Sequence, residues 1–153
     1  MGDDETYAPP GLGEWTGFQL FKAGWWIEHR IEDALVPLGL RGRHFMVLEM
    51  LAAATLSQQQ MAAIMSLDAT LLGAIVDELD TRGLVTRTRD PADRRRYAVS
   101  LTEQGRAAHG KAREAIDAAE AEVFAELDAD DRAALAGILA RMMTPYWRAK
   151  LKT

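Results

Sequence analysis

The stretch ELDTRGLVTRTRDPADRRRYAVSLTEQGR, residues 78–106, changes its periodicity twice. Its first residues continue a helical pattern, whereas LVTRTR (84–89) and RYAVSL (96–101) alternate with a period of two, as β-strands do. A polar turn containing Asp90-Pro91 separates the two alternating runs, and Thr102 stands where a helix cap is wanted. The stretch therefore predicts the end of a helix, a β-hairpin and the start of another helix.

This hairpin carries a charge opposite to that of the rest of the chain. Of the 153 residues, those from 82 to 96 include six Arg and two Asp, a sum of +4, whereas the whole chain has a net charge of −5 and its remainder therefore −9. Concentrated arginine on one element is the electrostatic footprint of nucleic-acid binding. The alternative is a solvated edge hairpin that its charges protect from aggregation.

Helical patterns precede the hairpin. A helix with a wide apolar arc is expected over residues 15–36, and an arc of this width predicts burial on two sides, one of them by a second subunit. Another helix is expected over 41–53. Ser57 and Gln60 have capping-box spacing for a short helix, and Asp68 caps a third one, whose core stripe is Leu72, Ile75, Val76 and Leu79.

Two more helices are expected after the hairpin. The first runs from the Thr102 cap to about Leu127, and the second begins at Asp128 and is broken by Pro145. The second helix is expected to turn four apolar residues inward: Leu135, Ile138, Leu139 and Met142.

The composition excludes several kinds of protein. There are no cysteines, so disulfides and thiolate metal sites are absent, and a cytoplasmic location is expected. The apolar runs are far shorter than the roughly 20 residues that cross a bilayer, so no membrane association is expected. The acidic N-terminus does not have the pattern of a signal peptide. We find no catalytic constellation, no metal-ligand spacing and no cofactor motif, and therefore expect no enzyme.

The pattern as a whole predicts a single domain over residues 1–153, mainly α with a small β-hairpin. Residues 1–14 are expected to form a flexible arm, 41–101 a winged helix-turn-helix, and 15–36 and 102–153 the flanking N- and C-terminal dimerisation helices. Two short consecutive helices followed by a hairpin are an arrangement that docks on DNA.

The hairpin region also resembles the MarR family of bacterial transcription regulators. The similar elements are Leu79, RGLV (82–85), DPADRR (90–95) and VSLTEQG (99–105), together with LGLRGRHFMVLEMLA (38–52) upstream. The resemblance implies a homodimer that binds a palindromic site in double-stranded DNA. It also implies a repressor that a small, often aromatic, molecule releases from DNA.

The resemblance assigns roles to the arginine-rich wing. By the family's Asp-x-Arg pattern, Asp93 orients the guanidinium of Arg95, which is expected to enter a narrow minor groove. The remaining wing arginines are expected to contact phosphates or to solubilise the strands: Arg87, Arg89, Arg94 and Arg96.

The recognition helix departs from the family. Gly73 and Ala74 stand where the family often has Thr-Arg, and neither offers a hydrogen bond to a base edge. Ala74 and Thr70 can still contact a base, while Gln58 and Gln59 are expected either to anchor phosphates or only to begin an exposed helix. The alternative function is therefore a winged-helix dimerisation or protein-interaction module with weak or lost specific DNA binding.

Aromatic and histidine residues on the first two helices are candidates for an effector site. Five of these residues carry rings that could bind an aromatic ligand, although aromatic residues at helical spacing more often lie in a core or a dimer interface. The set is Phe18, Trp25, His29, His44 and Phe45. His109, on the long helix, is expected to face solvent.

Overall fold

A computed structural model describes residues 10–54, 56–89 and 97–151 of the chain, the side chains of Arg89, Tyr97 and Leu151 excepted. The described residues are mainly helical, with one small antiparallel sheet. The helices are α1 (Thr16–Leu35), α2 (Gly42–Ala53), α3 (Gln58–Met65), α4 (Ala69–Thr81), α5 (Glu103–Val123) and α6 (Ala129–Leu151). The strands are β1 (Leu56–Ser57), β2 (Val85–Arg89) and β3 (Tyr97–Leu101).

The expected helix caps are confirmed. Ser57 Oγ accepts from the backbone N–H of Gln60, whose side chain accepts in return from the Ser57 N–H, so α3 begins with a full capping box. Asp68 accepts from Leu71 N–H at 2.8 Å at the start of α4. Thr102 accepts from Gly105 N–H at 2.9 Å at the start of α5. These side chains satisfy amide groups that a helix leaves free at its first turn.

The hairpin forms where the alternation predicts it, and a third strand joins it. β2 pairs with β3 in antiparallel register, with Val85 opposite Leu101 and Arg87 opposite Val99. The two-residue strand β1 pairs with the other edge of β3, so the strand order is β1-β3-β2. The sequence did not predict β1, because two residues are too few to show an alternating pattern.

The core lies between the helix-turn-helix and α5. All four residues of the predicted α4 stripe are at most 2% exposed, and they pack with Leu48 of α2, Met61 of α3 and Ala112 of α5. Gly105 leaves no room for a side chain, because a Cβ there would lie 1.8 Å from the Leu84 carbonyl oxygen. The close contact fixes the start of α5 against the segment that leads from α4 into β2.

The terminal helices differ from the prediction in two ways. α6 continues through Pro145 to Leu151, so the expected break is wrong. Proline removes one hydrogen bond of the helix, and the remaining bonds and contacts of a 23-residue helix keep it intact. The inward direction expected for Ile138 and Met142 is also wrong within one chain, since they are 52% and 48% exposed. The reason is that, in the described residues, α6 packs mainly against α3.

Large apolar side chains on both terminal helices stay exposed. On α1 they include Phe21, Trp25 and Trp26, and on α6 Tyr146 and Trp147, each more than 40% exposed. Exposed apolar surface of this extent on two long helices marks an interaction surface. None of the helices in the described ranges is long and apolar enough to cross a membrane.

Candidate nucleic-acid interface

The surface that would meet DNA begins at the turn between α3 and α4. Ser66 ends α3 in the left-handed conformation, with φ of 56°, which lets the chain reverse within three residues. Gln58 and Gln59 lie in the first turn of α3, where free backbone N–H groups favour an approaching phosphate. Gln58 is half-buried and Gln59 is exposed.

The outer face of α4 is bare at its N-terminal half. Thr70 and Ala74 are exposed, and Gly73 between them is half-buried. A Cβ added at Gly73 would meet no atom within 4 Å, so packing inside the chain does not require glycine at this position. The face therefore offers one hydroxyl, one methyl and an open backbone to a base edge.

The C-terminal half of α4 carries two carboxylates, and each faces a basic group of the protein. Asp77 Oδ1 lies 2.5 Å from Arg87 Nη2 on β2. Glu78 Oε2 lies 3.1 Å from His44 Nε2 on α2. Unpaired carboxylates at these positions would repel phosphates, and the ion pair with Arg87 balances part of their charge within the chain.

The His44 ring is enclosed between α2 and α4. It is 1% exposed, and its Nδ1 accepts from the Arg41 backbone N–H at 3.2 Å, which leaves the proton on Nε2, next to Glu78. Burial lowers the pKa of His44 below its ordinary value, and the Glu78 carboxylate opposes this shift. The neighbouring imidazole in turn lowers the pKa of Glu78.

A third side chain holds the end of α4. Arg82 donates to the carbonyl oxygens of Gly39 at 2.8 Å and Leu38 at 3.4 Å, in the turn between α1 and α2. Gly39 and Gly83 both have the positive φ of a residue that ends a helix in the left-handed conformation, 64° and 69°. The C-terminal half of α4 is thus fixed to α2, to β2 and to the turn before α2.

The wing is described only at its base. Arg87 lies in the middle of β2, and Arg89 pairs through its backbone with Tyr97. Four of the predicted wing residues lie outside the described residues, so their contacts with DNA stay predictions: Asp93, Arg94, Arg95 and Arg96.

The structure distributes the five candidate effector residues over different environments. On α1, the Trp25 and His29 rings are 4.0 Å apart, and Phe18 stacks on Trp15. Phe45 of α2 stacks on His109 of α5, with ring centroids 5.8 Å apart. His44 Nδ1 accepts from the Arg41 backbone N–H and its Nε2 lies 3.1 Å from Glu78 Oε2, so a contact of His44 with a ligand stays a prediction.

The expectation that His109 faces solvent is wrong. Its Nε2 lies 2.7 Å from Glu49 Oε2, and its side chain is 20% exposed. The sequence could not show this contact, because it joins residues 60 positions apart.

An open cleft of about 280 Å³ lies beside the end of α4, and none of the five candidate residues lines it. Arg82, Gln104 and Lys111 supply its polar groups, and Leu38, Leu40 and Leu84 are among its apolar ones. Within the ranges the structure describes, we find no cluster of His, Asp or Glu that could hold a metal ion.

Known proteins share this arrangement. Residues 38–96, which span the helix-turn-helix and the wing, match the model of the MarR family. The HTH-type transcriptional repressor Rv2887 of Mycobacterium tuberculosis is 31% identical over 114 residues, which cover 74% of this chain and 82% of the repressor. A relative from Thauera aromatica, named for the hcr operon, is 32% identical over 87 residues, and the match spans only about half of it, 52%.

Two solved complexes of proteins named CouR, the first of them from Rhodococcus jostii RHA1, have the same fold. The structure of CouR with p-coumaroyl-CoA has a TM-score of 0.78 and 34% identity, and the match covers 90% of this chain and 97% of CouR. The structure of CouR on a 23-mer DNA duplex has a TM-score of 0.80 and 30% identity, over 90% of this chain and 99% of CouR. The match to the repressor covers 114 residues, more than the family model does, and the folds of the solved structures agree with that of this chain. This chain therefore belongs to the MarR family of transcriptional regulators.

Proposed function

We propose that this chain is a homodimeric, sequence-specific DNA-binding repressor that works in the cytoplasm and that a small aromatic ligand releases from DNA. One observation carries the proposal: α4 buries one face completely and presents the opposite, sterically open face beside an arginine-rich hairpin. A helix of this kind enters the major groove, and a basic hairpin reaches the adjacent minor groove. The similarity of this chain to the repressor Rv2887 and to a CouR repressor solved on a DNA duplex supports the same function.

In this proposal the DNA surface has three parts, which are α4, the start of α3 and the wing. Thr70, Gly73 and Ala74 approach base edges, where the alanine methyl can contact a thymine methyl. Phosphates meet Gln58 and Gln59 at the start of α3. The wing residues Arg89, Arg94, Arg95 and Arg96 bind the backbone and the minor groove, with Asp93 orienting Arg95.

The exposed apolar faces of α1 and α6 supply the dimer contacts. Two copies related by a two-fold axis place two α4 helices on half-sites about one helical turn apart, so the operator is expected to be palindromic. Dimerisation would thus bury the apolar surfaces that a single chain leaves exposed.

The direct test is a fluorescence anisotropy titration with the DNA upstream of the protein's own gene, at several salt concentrations. Specific binding is expected to be at least about 10³-fold tighter than binding to a scrambled duplex. Arg95→Ala is expected to weaken binding to the operator, whereas Lys111→Ala, which removes a cation from the cleft beside α5, leaves it unchanged. Unchanged affinity in Arg95→Ala would remove the minor-groove role of that residue.

The bare face of α4 favours a second candidate, a winged-helix dimerisation or interaction module without specific DNA binding. Gly73 and Ala74 provide no side-chain hydrogen bond to a base, so specificity has to come from DNA shape, the backbone and the wing. Equal affinity for operator and scrambled DNA in the same titration would decide for this candidate.

The ligand response is tested with p-coumaroyl-CoA, because CouR binds this ester. Trp25 and His29 on α1 together with Phe18 and Phe45 are the aromatic groups we propose near the ligand. Titration of the ester into the protein–DNA complex is expected to weaken DNA binding about 5- to 150-fold, the usual range of coupling between two sites. Quenching of tryptophan fluorescence that Trp25→Phe abolishes would place the ligand at α1.

A further inference from the structure

The direction of Arg87 follows from the alternation of β2. Val85 is 1% exposed and faces the core, and residues two apart in a strand lie on the same side. Arg87 is therefore on the core side, whereas Thr86 and Thr88 are exposed on the other. The strand turns this arginine toward α4 and away from the outer surface of the hairpin.

The contact that Arg87 makes there is close and partly shielded. Its Nη2 lies 2.5 Å from Asp77 Oδ1, and its side chain is 26% exposed. Its Nε is buried and has no hydrogen-bond partner among the described residues. To reach a phosphate, the guanidinium would have to give up a charge-assisted hydrogen bond in a partly dry site, where such bonds are stronger than at the surface.

Asp77 occupies a sensitive position on α4. It lies three and four residues after Ala74 and Gly73, so it belongs to the same exposed stripe. An unpaired carboxylate on this stripe would repel the phosphates on either side of the groove. The ion pair offsets this charge and at the same time joins the helix to the strand that leads into the wing.

We propose that Asp77 and Arg87 are a positioning pair: they fix the base of the wing at a set angle to α4, and Arg87 does not bind a phosphate. A helix in the major groove and a hairpin in the minor groove can both fit only if their separation is held constant. The effect on DNA binding rests on the proposed function, whereas the coupling of β2 to α4 does not.

The first test compares two substitutions that remove the same charge from the same helix. Asp77→Ala breaks the pair, and Asp80→Ala removes an exposed carboxylate for which the described residues show no ion pair. Asp77→Ala is expected to weaken operator binding about 10-fold, an effect of the size that one mismatched base pair has, even though it removes a negative charge. Asp80→Ala is expected to bind equally well or more tightly. Tighter binding by Asp77→Ala would mean that Asp77 acts only by repulsion and would overturn the proposal.

The second test separates positioning from phosphate binding. The double variant with Asp77→Arg and Arg87→Asp reverses the pair and is expected to bind the operator within about threefold of the original protein. Arg87→Ala alone is expected to weaken binding without changing its salt dependence. If Arg87 bound a phosphate directly, Arg87→Ala would instead make the slope of log K against log salt less steep by about 0.9, and the reversed pair would not recover the lost affinity. Either result would overturn the proposal.

A readout without DNA makes the coupling testable even if the protein has no operator. Amide hydrogen exchange of β2 and β3 is expected to become faster in Asp77→Ala and to stay unchanged in Asp80→Ala, because only the first variant releases the strand from α4. If the original protein does not prefer its operator, the proposed function fails while the exchange experiment still decides on the pair. Equal exchange in the two variants would refute the pair's role in the fold.

Discussion

Apolar residues with helical spacing are buried in the centre of the chain and exposed on its terminal helices. In α4, each of Leu72, Ile75, Val76 and Leu79 is at most 2% exposed, and the contacts that cover them come from the same chain. In α6, Ile138 and Met142 recur at a similar helical spacing and are about half exposed. The apolar residues of the two helices have a similar spacing, but only those of α4 are covered by other parts of the same chain.

This difference separates two sources of stability. The helix-turn-helix and the sheet have an internal core, so we expect them to fold on contacts within one chain. The outer faces of α1 and α6 become buried only against another molecule, for which the proposed second copy is the simplest partner. Substitutions in the two regions should therefore have different consequences, which the following experiments measure.

The largest effect on stability is expected for Leu72→Ala. Leu72 is fully buried in α4, and truncation of a buried leucine costs about 2–5 kcal/mol of unfolding free energy through lost burial and a cavity. Urea denaturation monitored by circular dichroism measures it. Leu71→Ala is the matched control, because this neighbouring leucine is 40% exposed and should cost less than about 0.5–1 kcal/mol. Similar losses in both variants would contradict an internal core built on α4.

A dimer substitution should separate assembly from folding. Ile138→Glu combined with Met142→Glu places two charges on the exposed stripe of α6 and is expected to weaken self-association at least about 100-fold, since unpaired charges are not tolerated in an apolar interface. Sedimentation equilibrium at micromolar concentration should show a dimer for the original protein and a monomer for this variant.

The control for this experiment is Met46→Glu on α2. Met46 and Met142 are both 48% exposed, so Met46→Glu is compared with Met142→Glu alone, which removes a similar apolar surface and adds the same charge. The α2 variant should stay dimeric. A monomer in the original protein would show that the apolar faces of α1 and α6 serve another partner.

Local signals in the sequence predicted the fold well. A cap needs only a side chain and an amide three residues later, so Ser57, Asp68 and Thr102 could be identified from spacing alone. Strand β1 and the continuation of α6 past Pro145 could not, because they depend on a distant strand and on the total length of a helix. Interactions local in sequence were predictable, and those set by tertiary packing were not.

The candidate site shows the same limit. The arginine-rich hairpin is visible as composition, whereas the partner of each charged group is not. Asp77 and Glu78 look like a barrier to DNA in the sequence, but the fold places Arg87 and His44 beside them. A pattern of charges predicts the kind of ligand, and only the packing of β2 and α2 against α4 shows which charges remain available for it.

A cap at the boundary of the two regions is expected to have an intermediate effect. Thr102 joins the sheet to α5: its Oγ1 accepts from Gly105 N–H and donates to the Gly83 carbonyl at 2.6 Å. Thr102→Ala is expected to cost about 1 kcal/mol of unfolding free energy, and Thr102→Ser should recover most of it because the hydroxyl is kept. Urea midpoints measure both, and equal loss in the two variants would show that the methyl group, not the hydroxyl, stabilises this junction.

The smallest effect is a dependence of stability on pH through His44. Burial lowers the pKa of folded His44 below its ordinary value of 6.5, with smaller contributions in the same direction from Arg43 and Arg82, while Glu78 opposes them. Below about pH 6.5 the unfolded chain therefore binds a proton more readily than the folded one, and stability contributed by His44 is lost as the pH falls through that range. The pKa of Glu78 is lowered as well, which removes further stability only at pH values below its ordinary 4.5.

The measurement is the unfolding free energy at pH 7.5 and 5.5 for the original protein and for His44→Gln. The variant has no imidazole to protonate at this buried site, so its stability should fall less between the two pH values. Because the Glu78 carboxylate offsets part of the burial cost, the difference should be smaller than the effect of the Thr102 cap. An equal fall in both proteins would mean that protonation of His44 does not weaken the contact of α2 with α4, and the acid sensitivity would then have to come from other groups.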